Sequence, residues 1–132
     1  MKLEQQVVSL ELAKKLKELG VKQESVFVWR KLPTRPEPEV DTNFGLDSIG
    51  ERGMLCSAFT VAELGEMLPK TVVDEKGKRH PKNYRGANAY GQHIVSYHED
   101  FSPPLETVFA DTEADARAKM LIYLIENKLI TV

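Results

Sequence analysis

Between Lys76 and Arg85 the chain packs five cations into ten residues: Lys76, Lys78, Arg79, Lys82 and Arg85. Tyr84 is interleaved among them. Cations at that density can neutralise a phosphate backbone, and a neighbouring aromatic ring can stack on a base. Lys76, Lys78, Arg79, Lys82, Tyr84 and Arg85 are therefore the candidate nucleic-acid contact. The plainer alternative is a solvated hairpin tip, neutralised within the molecule by the acidic stretch from Glu37 to Glu51. A formal charge of −2 gives no global pull toward polyanions, so any such binding rests on this one patch.

Nucleophilic and metal chemistry find thinner support. Cys56 could pair with His93 or His98 and an acid such as Glu99 or Asp100 to form a hydrolase-like site. Yet Cys56 sits between Leu55 and Ser57-Ala58, a setting that suits a small core hydrophobe. His93 and His98 are five apart on an expected strand, hence on opposite faces. With His80 and the single cysteine they offer no paired ligand spacing, so no metal or other cofactor is expected. The segment Arg85-Gly86-Ala87-Asn88-Ala89-Tyr90-Gly91 lacks the lysine and hydroxyl of a phosphate-binding loop and reads as a connection.

The elements that must position these residues are more legible. The clearest is a helix from Thr112 to Lys128. Thr112 caps it, Asp115 completes a capping-box-like pair, and Ala114, Ala118, Leu121, Ile122, Ile125 and Leu129 recur on one face. Met120 and Leu124 widen that stripe, while Glu113 with Arg117 and Asp115 with Lys119 are spaced as ion pairs on a wet face. A first helix runs from Ser9 to Leu19, ended by Gly20. A second is capped by Thr60 with Glu63 and closed by Pro69. Val26-Phe27-Val28-Trp29 is apolar on both alternating faces, which suits an interior strand. Met54 to Phe59, Thr71 to Val73 and His93 to His98 are further strands, with Val95 and Tyr97 on one face and Ile94 on the other. A short extended piece covers Thr107 to Phe109. Residues 32–52, broken by Pro33, Pro36 and Pro38, and residues 74–91 read as flexible loops.

This order implies a single α+β domain over residues 1–132. A small, mainly antiparallel sheet of about three to five strands carries about three helices, the C-terminal one longest. A length of 132 residues fits one core. The N-terminus has no hydrophobic signal core, and no apolar run reaches the ~20 residues that span a bilayer, so a cytoplasmic protein is expected.

Three segments carry a family resemblance: Ser9 to Ser25, Ser57 to Pro69, and Thr112 to Lys128. In order and content they resemble a group of small proteins encoded by bacteriophages, prophages and related mobile elements. The resemblance spans the helices, under half the chain, and brings no catalytic or ligand residues with it. It implies a mobile-element origin. The expectation is a non-enzymatic accessory protein acting through contacts with a host or phage protein or through self-association. Phe27, Trp29, Phe44, Tyr84 and Tyr90 are candidate aromatic anchors. The alternatives are the nucleic-acid-binding module and the Cys/His hydrolase.

Overall fold

The computed structural model describes residues 2–42, 53–98 and 103–132. Its elements are α1 (Leu3–Gln6), α2 (Leu10–Glu18), β1 (Phe27–Arg30), β2 (Glu39–Thr42), β3 (Met54–Ser57), α3 (Val61–Met67), β4 (Thr71–Val73), β5 (Arg79–Arg85), β6 (His93–Tyr97), β7 (Glu106–Ala110) and α4 (Glu113–Glu126). The fold is α+β with the C-terminal helix longest, as the patterning implies. The strands divide between two antiparallel sheets, one ordered β2-β1-β3 and the other β4-β5-β6-β7.

Local signals set the helix ends. Thr60 Oγ1 accepts the Glu63 amide at 3.1 Å, while Glu63 Oε1 accepts the Thr60 amide at 2.8 Å, the reciprocal pair that stops a helix end fraying. Glu63 also accepts from Ser25 Oγ and the Val26 amide, so this cap anchors the chain entering β1. Gly20, with φ of +91°, closes α2; its amide bonds Lys17 O and that of Val21 bonds Leu16 O, satisfying carbonyls the helix leaves open.

Helix α4 is enclosed rather than laid on a surface. It packs against β6 and β7 on one side and against α2 and α3 on others. Ala114, Ala116, Ala118, Met120, Leu121, Ile122 and Leu124 are all buried, whereas Ile125 and Leu129 are only partly so. Ala116 falls outside the expected stripe because a residue two positions from Ala114 lies on the opposite side of a helix. Its burial follows from a second packing surface.

The two expected ion pairs of α4 part ways. Glu113 Oε1 and Arg117 Nη2 meet at 2.9 Å, with side chains only 28% and 18% exposed, so the pair is half-buried. Asp115 does not hold Lys119. Its Oδ1 accepts the Ser9 amide at 2.7 Å, and Lys119 Nζ reaches the Phe109 carbonyl at 2.9 Å. The physical reason is competition. A carboxylate facing an unpaired helix-end amide gains more from that bond than from a mobile ammonium in water. Ser9 is the N-cap of α2 but makes no side-chain cap bond, so Asp115 ties the start of α2 to the start of α4.

Residues 32–52 and 74–91, expected as flexible loops, contain regular structure. β2 lies in the first and pairs with β1, Val28 opposite Asp41; residues 43–52, Phe44 among them, lie outside the described residues. β5 lies in the second, framed by two turns of one type. Asp74 and Asn88 each accept two amides on the side-chain oxygen, from Lys76 and Lys78 and from Tyr90 and Gln92. Gly77 (φ +81°) and Gly91 (φ +77°) supply the left-handed residue three positions on.

Replacing Asp115 by alanine removes the bond between the two helix starts and leaves the Thr112 cap in place. Urea denaturation is expected to show a loss of about 1.5–3 kcal/mol, the usual worth of a hydrogen bond to a charged group. A loss as small as that of a typical surface change, under about 0.5 kcal/mol, would contradict this role.

Candidate functional sites

Strand alternation divides the six basic-segment residues. Val72, His80, Lys82, Tyr84, Val95 and Tyr97 share the face of the four-stranded sheet that meets α4, as their register and the burial of His80, Val95 and Tyr97 establish. Arg79 and Arg85 stand on the opposite, outer face, both exposed, and Lys76 and Lys78 sit in the turn between β4 and β5. The six do not form one patch. Among the described acidic residues, Glu39 pairs with Arg35 at 2.6 Å and Asp41 with Arg30 at 3.1 Å, partners within the first sheet or its β1–β2 connection. They do not neutralise β5.

On the inner face, Tyr84 and Lys82 belong to a connected group. Tyr84 OH lies 2.9 Å from His93 Nδ1, and the two rings stack with centroids 6.3 Å apart. The Arg117 guanidinium lies over the Tyr84 ring, 5.4 Å from its centre, while Glu113 holds its other side. Gly65 makes room for Arg117: a Cβ there would collide with Nη1. Lys82 Nζ bonds the Gly65 carbonyl at 3.3 Å. Burial pushes the Tyr84 hydroxyl above its usual range, with Glu113 adding to the rise. Burial first, then repulsion from Arg117 and Lys70, pulls the Lys82 ammonium down. Tyr84 is thus engaged rather than free to stack on a base. Its partner His93 was within reach of sequence reasoning, because the two are diagonal neighbours across the β5–β6 pairing.

His93 and Glu113 also border a cleft of about 370 Å³, within the range of small-ligand and side-chain pockets. Leu3, Val7, Phe27 and Val61 give it an apolar lining. Its polar wall comes from the β7–α4 junction, Asp111, Thr112 and Glu113, and among the described residues no lysine or arginine lines it. Sequence reasoning missed it because α1, β1, α3 and α4 meet there only in three dimensions.

The remaining candidates are dispersed. Cys56 is fully buried in the first sheet, opposite Trp29, and burial raises its thiol pKa, which disfavours the thiolate a nucleophile needs. All three histidines belong to the second sheet or its margin. His98 Nδ1 is 3.0 Å from Ser96 Oγ, and His80 Nε2 donates to Asp74 Oδ2 at 2.9 Å. Glu99 and Asp100, the acids considered for that chemistry, lie outside the described residues. Among the described residues no group of three histidine, cysteine or acidic side chains is placed to hold a metal ion, and no helix is long and apolar enough to cross a membrane. Of the aromatic candidates, Trp29 donates Nε1–H to the Val8 carbonyl at 2.9 Å and packs on the core, whereas Tyr90 is 88% exposed.

No protein-family model matches the chain, and comparison with curated proteins and with solved structures likewise returns no match. The reading of function therefore rests on the residues and their geometry.

The turn beneath the basic segment yields a pH prediction. The hydrogen bond from His80, followed by that from the Lys78 amide, holds the Asp74 carboxyl below its ordinary range. A depressed carboxylate stabilises the fold above its unfolded pKa, and that contribution is lost as pH falls through the lower folded value. Asp74→Asn keeps a turn acceptor, as Asn88 shows, but removes the charge. The stability gap between wild type and variant is expected to be widest near neutrality and to narrow steadily in acid. A gap independent of pH in urea titrations would contradict the assignment.

Proposed function

We propose that this chain is a non-enzymatic accessory protein of the phage and prophage type, working in the host cytoplasm through protein contacts or self-association. The observation that carries the reading is the cleft where α1, β1, α3 and the start of α4 converge. An apolar lining beside a wall holding Asp111 and Glu113 suits an apolar segment that also presents a basic side chain. Three features support a binding role over catalysis. Cys56 is sealed in the core, the histidines are engaged with Tyr84, Asp74 and Ser96, and Glu113 is matched by Arg117. The mobile-element setting is part of the proposal and rests only on the sequence of the three helical segments, Ser9 to Ser25, Ser57 to Pro69 and Thr112 to Lys128.

Ala62 lies exposed at the cleft, so Ala62→Arg should occlude it and repel a basic partner without disturbing the core. Crosslinking in host lysate and sedimentation of the purified chain are expected to show a wild-type complex or dimer that the variant loses. A wild-type chain that stays monomeric, with every crosslinked species equally retained by Ala62→Arg, would refute the proposal.

A further inference from the structure

The outer face of the four-stranded sheet has no part in the cleft and no cover from α4, which packs on the inner face. Phe109 is 45% exposed there and Val73 51%, on strands whose alternate residues are buried. A shallow groove of about 270 Å³ crosses β6 and β7 between Arg85 and His98. Thr107 is a part-exposed polar group in it, Ser96 lies buried at its floor and bonded to His98, and Ile94 and Phe109 are apolar. The cross-strand pairs Ile94–Phe109 and Ser96–Thr107 set those residues side by side.

Among the described residues the charge on this face is one-sided. Arg79 and Arg85 are exposed, and six residues of strand separate them by ~20 Å. Neither makes an ion pair among the described residues, and the described strand residues of this face include no aspartate or glutamate. Glu106, the one acid on these strands, pairs with Tyr97 on the inner face. Just beyond Arg85, the turn held by Asn88 keeps the Tyr90 ring in solvent.

From this arrangement we infer that the outer face binds single-stranded nucleic acid. Two guanidiniums at the span of about four nucleotides can grip the backbone. The exposed Phe109 ring can stack a base, and the part-exposed Thr107 hydroxyl can meet a base edge. A duplex conceals base faces, so a sheet face presenting an exposed aromatic ring favours the open strand. The contact differs from the linear basic segment: Arg79 and Arg85 belong to it, while Lys82 and Tyr84 face the other way. It is independent of the cleft and stands or falls separately.

The test is fluorescence anisotropy of the full chain with labelled twenty-nucleotide DNA and RNA single strands, the matching duplex, and an acidic peptide of equal length. Single strands should bind at low salt, more tightly than duplex or peptide, and weaken more than about tenfold between ~25 and ~200 mM salt. Phe109→Ala should cost about tenfold with the salt slope unchanged. Arg85→Glu should weaken binding at least as much and flatten the slope, and Lys82→Gln on the inner face should change little. Thermal melts by circular dichroism establish that each variant folds. Absence of single-strand binding at low salt would overturn the inference. So would equal binding of the acidic peptide, or equal losses in Lys82→Gln and Arg85→Glu.

Discussion

The burial of α4 on more than one side is the constraint from which the rest of the fold follows. A helix covered by a sheet and by other helices needs small side chains where backbones approach and large ones where space remains. Ala114, Ala116 and Ala118 serve the first need in its opening turns, and Met120, Leu121, Ile122 and Leu124 the second. Each large side chain buried there is worth roughly 1.5–3 kcal/mol before the cost of ordering it. The enclosed helix therefore couples the halves of the molecule, because α2 and α3 touch the first sheet's strands or their connections while β6 and β7 belong to the second. Asp115 and Thr112 fix where this helix starts, and through Ser9 they fix where α2 starts as well.

Backbone groups at the margins are closed by side chains. Lys17 Nζ donates to the Leu55 carbonyl at 2.8 Å, and Gln23 Oε1 accepts the Ser57 amide at 2.7 Å, both on edge strand β3. Lys119 does the same for Phe109 on edge strand β7. Such bonds occupy groups that another strand would need for pairing. Association by extending a sheet is thus disfavoured at these positions. Among the described residues, the cleft beside α1 and α3 and the outer face of the second sheet lie away from these closed edges.

How much of this was legible in the sequence depends on how local each cause is. The caps at Thr60 and Thr112, the left-handed stop at Gly20 and the alternation of Val95 with Tyr97 act within a few residues, and all were readable. The division of the strands between two sheets was not, because β1 pairs with β3 across a long proline-containing segment. β5 was obscured by its composition: it holds Pro81 and four cationic or imidazole side chains, a poor strand by propensity. Its partners override that. Pro81 faces Thr71 at the first pair of β4, and its carbonyl accepts the His98 amide at 3.1 Å. The basic run itself was legible, but its meaning was not until alternation assigned Arg79 and Arg85 to one face and Lys82 and Tyr84 to the other.

Native-state hydrogen exchange along α4 tests the central claim most directly. If this helix holds both sheets together, the amides from Met120 to Leu124 exchange only through global unfolding. Those of Leu16 in α2 and Val95 in β6 then show the same opening free energy. Exchange of α4 through a lower-energy local opening, or separate protection levels for the two sides of the molecule, would contradict it.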